Sequence, residues 1–467
     1  MSKMDLEYAT IKIDEAKALE VASKLYNITG KVKVLPGESD FNFRIKSDSE
    51  CYLLKISRPN EDQKFINFQY ELLKHVEENG DMESPKVYPD INGKHISEII
   101  DGNGVKRIVR LLSWMEGRIW SSVNPITEKL IYTLGQKAGS LTYILQNFNH
   151  DFANRYYEWD VTQALWCKEK INLFEGDRAT ILNTFLTRFE GIQKQYQTFR
   201  KSIIHSDVND NNIIVEEDLK SPSVKSIIDF GDAVLSYTIN DVAIALAYVI
   251  MHKHDPLSAA ITFIKGYHEQ YSLLEEELDV LHTLVAMRLT ITVTKSAMNK
   301  IAEPENEYHQ ISEKPAWDVL EKWIKVDEEL AHYSFREACG YIAHPNQKVF
   351  EQFANNETLN FTTLFPTIGK ESIHPIDLSV SSKLIGTQAE LDLFQFKINQ
   401  LQNQNTEKII AGGYLEPRAV YTSSAYDKIG NSGNESRTIH LGIDFWLPEL
   451  TPVHALFDGE VVVSINN

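Results

Sequence analysis

Three cysteines in 467 residues, Cys51, Cys167 and Cys339, are too few and too scattered for a disulfide framework or a thiolate metal site. They suit free thiols in a reducing cytoplasm. No apolar run reaches the ~18 residues of a membrane span, and the opening Met1-Ser2-Lys3-Met4-Asp5-Leu6-Glu7 has no secretory pattern, so a membrane-spanning or exported protein is not expected. Positive charge is scarce as well. Against 66 Asp and Glu stand 47 Lys and Arg, a net charge of −19, which disfavours nucleic acid and anionic membranes as partners and mildly favours cationic small molecules. What is present is a chain longer than one ordinary domain, with 43% apolar and 10% aromatic residues, enough for substantial cores.

The most specific stretch is His205-Ser206-Asp207-Val208-Asn209-Asp210-Asn211-Asn212, followed after a short interval by Asp229-Phe230-Gly231-Asp232. An aspartate with an asparagine five positions on, then an aspartate before Phe-Gly, is the spacing of a phosphotransferase centre. Residues 212–215 and 226–228 are β-prone runs separated by a polar, proline-bearing segment, so they are expected to pair as a hairpin and bring Asn212 beside Asp229. Both offer the hard oxygen donors that Mg²⁺ takes. Asp207, one loop earlier, is expected to face the attacking hydroxyl as its base, with His205 bracing the loop.

Upstream, residues 32–35, the turn Pro36-Gly37-Glu38-Ser39-Asp40, and residues 41–45 read as strand, loop and strand, with residues 51–56 as a third strand that carries Lys55. Lys55 is the expected phosphate-binding lysine. The loop has a single glycine, Gly37, so phosphates would be met mainly by backbone N–H groups and Ser39. A helix over residues 62–78 should supply the acid that pairs with Lys55. Its apolar stripe leaves Gln69 and Glu71 on the flanks. Gln69 holds the expected register but cannot neutralise a lysine, so either Glu71 substitutes or the nucleotide itself orients Lys55. Residues 110–117, with Trp114 and Met115, are the candidate connection between two lobes, where the base would be sandwiched. Helices are expected over residues 127–148, 177–196 and 242–251, and a long apolar run over 278–298 is expected to be core. Between Asp232 and the helix at residue 242 there is no room for an extended activation segment, which argues for a small acceptor over a polypeptide.

The His205-x-Asp207-x4-Asn212 loop, Ile228-Asp229-Phe230-Gly231-Asp232, Trp159-Asp160 and Asp255-Pro256-Leu257 together resemble the aminoglycoside-phosphotransferase (choline-kinase-like) superfamily, and within it the hydroxylysine-kinase branch. The resemblance covers roughly residues 20–340. It implies an α+β, two-lobed protein-kinase-like fold, with a small antiparallel β lobe over a larger helical lobe, and transfer of the terminal phosphate of ATP or GTP to a hydroxyl of a small, often amine-bearing molecule. By position it places the base at Asp207, the Mg²⁺ ligands at Asn212 and Asp229, and the nucleotide lysine at Lys55. An ammonium on the acceptor needs carboxylates not consumed by metal, and Asp210, Asp232 and Asp160 are the candidates, with the Trp159 ring adding cation–π contact. Two positions depart from the superfamily: Gln69 stands where Glu is usual and Ser206 where Gly is usual. Both favour the alternative, a catalytically weak kinase-like binding or regulatory module.

Beyond residue 345 the composition changes to a polar linker with short helices (residues 346–406), then short strands and turns (residues 407–467), so that the domains are expected at 1–115, 116–345, 346–406 and 407–467. His440 and Asp444 lie four apart in an alternating apolar strand pattern, which puts them on one face as a candidate Zn²⁺ pair. This segment resembles the opening of the M23 (LytM-like) metallopeptidase fold. The His-x-His pair that such a site also needs does not follow before Asn467, so zinc is not expected to be held here and His454 reads as a surface residue. The order of a kinase-like region and an M23-like start is similar to large fusions that continue into a class-III aminotransferase, which makes this chain an expected portion or relative of one.

Overall fold

Alternation decides the first sheet. Phe41, Phe43 and Ile45 point inward along strand β2 (Phe41–Lys46) while Asn42 and Arg44 point outward. The computed structural model describes residues 13–37, 40–59, 61–302, 312–356, 361–369, 372–384, 390–418, 421, 424–461 and 463. In it, β1 (Lys31–Leu35), β2, β3 (Cys51–Ile56), β6 (Lys106–Ser113) and β4 (Val87–Tyr88) form one antiparallel sheet in that order, with β5 (Ser97–Ile100) also paired to β6. The register sets Lys55 opposite Asn42 on one side and Arg110 on the other. Helix α1 (Glu15–Tyr26), capped by Asp14, whose carboxylate accepts from Lys17 N at 2.8 Å, buries Ala18, Val21 and Ala22 against Phe41, Phe43 and Ile45. Helix α2 (Gln63–Asn79), capped by Asp62, buries Phe68, Leu72, Leu73 and Val76.

The larger lobe is mostly helical. Its helices include α3 (Glu128–Leu145), α4 (Gly176–Tyr196), α5 (Ile239–Val249), α6 (Pro256–Gln270) and α7 (Glu275–Ala302), followed by two shorter ones, Glu313–Trp323 and Glu328–Ala338. All of α5 is buried, and α7 buries Leu281, Leu284, Met287, Leu289 and Ile291, as its apolar pattern predicts. Small sheets carry the functional loops. Strand β7 (Arg118–Ile119) pairs with β9 (Ile213–Val215), which pairs with β10 (Val224–Ile227) in the expected hairpin, and β8 (Lys201–Ile204) pairs with β11 (Val234–Tyr237). One element was not foreseen: Val161–Leu173 winds as consecutive 3₁₀ turns between α3 and α4, started by the Asp160 cap. All three cysteines are free, and burial pushes the Cys167 and Cys339 thiols up to about 12.

The chain divides into two compact units, Met1–His344 and Pro345–Asn467. In the second, Ile373–Ile376 runs parallel to Ile409–Gly412, which pairs antiparallel with Phe445–Trp446, and the helix Leu391–Gln404 packs Ile398 into a core with Ile376, Leu378 and Ile410. No helix among the described residues is long and apolar enough to cross a membrane.

Candidate active site

The two small sheets of the large lobe and the sheet of the small lobe converge on one cleft of about 800 Å³, lined by Lys55, Asp207, Asn212 and Asp229 among others. Its catalytic-loop wall is held by an unusual backbone. Ser206 has φ +67, in the left-handed region where a non-glycine residue is strained by roughly 1–2 kcal/mol. The strain is offset by Asp241 on α5, whose two carboxylate oxygens accept from Ser206 N (2.9 Å) and His205 N (3.4 Å). Ser206 thus adopts the conformation that a glycine would supply. His205 is buried; its Nδ1 accepts from Asp207 N at 3.2 Å, which leaves Nε2 to donate to Ile228 O at 3.1 Å, and its ring meets Phe230 edge-on. Burial lowers its pKa, so the imidazole is a neutral strut between the two functional loops.

Asp207 is fixed on both oxygens. Oδ2 accepts from Asn212 Nδ2 and Asn209 Nδ2, both at 2.8 Å, and Oδ1 accepts from Arg288 Nη2 at 3.0 Å. Asn212 also donates to Asp207 O at 3.0 Å. Its amide nitrogen is therefore spent on the loop, which turns Oδ1 into its available ligand atom. Ile228 N donates to Asn212 O at 2.8 Å and sets Asp229 beside it. The Asp229 carboxyl lies below the ordinary range, chiefly because Lys55 stands 3.6 Å away.

Lys55 is paired, but not as the helix suggested. Its Nζ lies 3.5 Å from Asp40 Oδ2 and 3.6 Å from Asp229 Oδ1. Gln69 instead accepts from Arg110 Nη1 at 2.5 Å, and Glu71 has His150 as its neighbour at 3.7 Å. Of the two alternatives, Glu71 as the substitute acid is not the one found here, because the Asp40 carboxylate, just before β2, reaches the lysine. Gly37 lines the cleft, and a Cβ there would come within 2.2 Å of Asn42 Nδ2. Asn42 in turn donates to Pro36 O at 3.3 Å and ties the turn down. Ser39 lies outside the described residues.

At the lobe connection Trp114 and Met115 line the cleft with Leu53, Leu112 and Ile214 as apolar walls. Gly117 is required there, because a Cβ would meet Val215 O at 2.5 Å. The cleft is also lined by Tyr157, Trp159, Asp210, Asp232, Tyr248 and one face of α7. Asp232 is pushed up to about 6 by burial and by its neighbour Asp207, with Tyr157 acting in the opposite direction. Burial also raises Asp210. Asp160 does not join them. It is buried, and its Oδ1 accepts from Ser236 Oγ (2.7 Å), Thr162 N (3.1 Å) and Asn240 Nδ2 (3.2 Å), so its role is to cap the 3₁₀ segment. The substrate role expected for Asp160 is corrected accordingly. Trp159 gives its carbonyl to Arg288 Nη1 (3.0 Å) and its ring face to the same guanidinium at 4.9 Å. Arg288, Asp40, Arg110 and Tyr157 are neighbours of the cleft whose roles sequence spacing did not single out, although Asp40 lies in the 36–40 turn, Arg110 opens the 110–117 stretch and Tyr157 is two residues from Trp159.

In the second unit His440 Nδ1 is 2.8 Å from Tyr421 Oη, and Nε2 is 3.4 Å from Asp444 Oδ2. Asp444 is also held by Arg418 Nη1 at 2.6 Å. Among the described residues no group of three or more His, Cys, Asp or Glu is arranged to hold a metal ion.

The hydroxylysine kinase of Xenopus laevis is 29% identical over 359 residues, 71% of this chain and 95% of that protein. Among solved structures, an amicoumacin kinase in complex with AMP-PNP and Ca²⁺ has a TM-score of 0.51 at 16% identity, over 68% of this chain and 96% of that one. A microcompartment-associated aminopropanol kinase has a TM-score of 0.51 at 17% identity, over 70% and 99%. These two likenesses establish the two-lobed kinase-like fold. The family model that matches residues 31–280, more than half of the chain, takes in Lys55, Arg110, Asp207, Asn212 and Asp229, and the chain belongs to the phosphotransferase enzyme family.

Proposed function

We propose that this chain is a small-molecule kinase that transfers the terminal phosphate of a nucleoside triphosphate, ATP or GTP, to a hydroxyl of a small amine-bearing acceptor of the hydroxylysine or ethanolamine kind. The observation that carries this reading is the gathering of Asp207, Asn212, Asp229 and Lys55 on one cleft whose lining holds two further carboxylates, Asp210 and Asp232. The hydroxylysine, amicoumacin and aminopropanol kinases it resembles are named for small acceptors, which supports the same class.

The residues divide the work. Leu53, Leu112, Met115 and Ile214 receive the base, and Lys55 meets the phosphates. Asp229, ionised beside Lys55, and Asn212, with its amide oxygen available, are two hard donors suited to Mg²⁺, which when bound neutralises charge on the phosphates. Asp207 orients the acceptor hydroxyl and takes its proton. Arg288 and the two asparagines keep that carboxylate in one orientation, so the hydroxyl meets a preset acceptor atom. Asp232 faces the acceptor ammonium. Between Asp232 and the start of α5 at Ile239, the chain is spent on β11, which leaves no platform for a polypeptide acceptor. For the second unit the M23-like reading rests on His440 facing Asp444, and it adds no step to this reaction.

The test is nucleotide consumption by the purified chain over a panel of hydroxylated amines, amino alcohols and neutral sugars, with ATP and GTP in parallel. Turnover with an amine-bearing alcohol supports the proposal. Turnover confined to neutral sugars removes the amine, and none with any acceptor removes the kinase.

A further inference from the structure

Lys55 on β3 and Arg110 on β6 are direct cross-strand neighbours, a like-charge pair that would repel if left alone. Both are largely buried, with side chains 14% and 4% exposed, so solvent does little to screen them. The group between them is Asp40. Its Oδ2 accepts from Arg110 Nη2 at 2.7 Å and lies 3.5 Å from Lys55 Nζ, and its own side chain is 9% exposed. Arg110 then uses Nη1 on Gln69 at 2.5 Å, which is the link from this cluster to helix α2.

We infer that Asp40, with Arg110 as its counter-charge, is the positioning residue for Lys55, and that helix α2 contributes only a neutral hydrogen bond to Arg110. The inference rests on the proposed kinase reading and assigns a role that this reading leaves open. The charges support it. Two cations, Lys55 and Arg110, face two carboxylates, Asp40 and Asp229, and Gln69 keeps the sum at zero where a glutamate would leave a buried negative charge in excess. With Asp229 serving as a metal ligand, Asp40 would be the acid left to hold Lys55 toward the phosphates. Because Asp40 immediately precedes β2 and Lys55 lies on β3, the strand paired with it, the orientation of the lysine does not depend on where helix α2 stands.

Without the Asp40 carboxylate, Lys55 is repelled by Arg110 and left with Asp229 as its counter-ion, so it competes with the metal. Asp40→Asn therefore raises the dissociation constant of the Mg²⁺–nucleotide complex by ~10–100-fold, the scale of a lost charge-assisted contact. It also raises the Mg²⁺ concentration needed for half-maximal binding, which a purely structural defect would leave unchanged. Gln69→Ala changes both by less than ~3-fold. Should Asp40→Asn fail to fold because Arg110 is left unpaired, Asp40→Asn combined with Arg110→Met removes that charge and still shows the loss of affinity. Binding is followed by titration calorimetry with a non-hydrolysable nucleotide, beside thermal melting of each variant. If the unaltered protein binds no Mg²⁺–nucleotide, the kinase reading fails. If it binds, and the folded Asp40 variant matches it in affinity and Mg²⁺ requirement, or Gln69→Ala is as damaging as the Asp40 substitution, this inference is overturned.

Discussion

Two histidines, one in each unit, show what converts a sequence pattern into a site. His205 in the Met1–His344 unit is buried, with both ring nitrogens engaged and an aromatic edge against its face. The residues around it are fixed in turn: Asp207 by three side chains, the Ser206 backbone by Asp241, and the 3₁₀ segment by Asp160. His440 in the Pro345–Asn467 unit has Tyr421 on one nitrogen, while the carboxylate facing the other is shared with Arg418. The buried cluster of that unit that includes its central sheet has four residues, and Leu450 and Val461 are 98% and 84% exposed. A functional geometry requires supporting contacts, and those require a core large enough to hold them.

The largest effects should therefore come from residues at the centre of the well-supported site. Asp207→Asn should lower kcat by ~10²–10⁴ while Mg²⁺–nucleotide affinity stays near that of the unaltered protein, because on the proposed reading the general base is lost and the metal ligands are kept. Asp229→Ala does the reverse and abolishes Mg²⁺-dependent nucleotide binding. Steady-state kinetics and calorimetry separate the two. Undiminished turnover in the Asp207 variant, or undiminished Mg²⁺–nucleotide affinity in the Asp229 variant, would break the claim that this unit concentrates the chemistry.

How much of this was readable in advance follows the same division. The loops proposed as catalytic and metal-binding were legible because their residues are neighbours in sequence and their spacing reflects one hairpin; the pairing of Ile213 with Ile227 bears out that hairpin. The helical run along α7 was legible through its period. The partner of Lys55 was not, because whether Asp40 or a helix residue reaches it depends on how sheet and helix pack. Arg288 was equally hidden: it lies 81 residues beyond Asp207, on a helix whose apolar pattern reads as core. Asp160 was visible but misassigned, since a cap and a substrate carboxylate use the same residue type and differ only in what the fold brings to their oxygens.

A smaller effect should distinguish Asp232, the least comfortable acid of the well-supported site. Its carboxyl is pushed up to about 6 by burial first and by Asp207 second. Above that pH it is charged and able to hold an acceptor ammonium. As pH falls below it, protonation removes that charge, so the acceptor KM rises, approaching ~10-fold per pH unit, while the nucleotide KM moves less. Asp232→Asn should start with the high acceptor KM and lose this pH dependence. Stability runs the other way. The charged form is disfavoured in the folded protein relative to the ordinary value of 3.8, so the asparagine variant is the more stable one above about pH 6, and its advantage shrinks as pH falls toward 4. An acceptor KM that is flat across pH 5–8, or a variant that melts lower at pH 8, would count against the assignment.

The smallest effects belong to the second unit, where the comparison is most directly tested. Asp444→Ala leaves Arg418, only 7% exposed, with Glu416 as its remaining carboxylate partner at 2.8 Å. The expected loss is on the order of 1–3 kcal/mol, confined to the unfolding of that unit. His440→Ala removes one hydrogen bond, to Tyr421, and an ion-pair contact at 3.4 Å that exists only if the ring is protonated; its expected effect is below ~1 kcal/mol. Neither substitution should change phosphotransferase turnover, and neither should a zinc chelator, because His440 and Asp444 supply two donors where a stable zinc site needs three or four. Metal analysis of the purified chain, followed by Zn²⁺ titration of the unaltered protein and the His440 variant, checks this. One equivalent of tightly held zinc, lost on His440→Ala, would mean that the sparsely packed unit assembles a site after all and that the size of the core is not what separates the two.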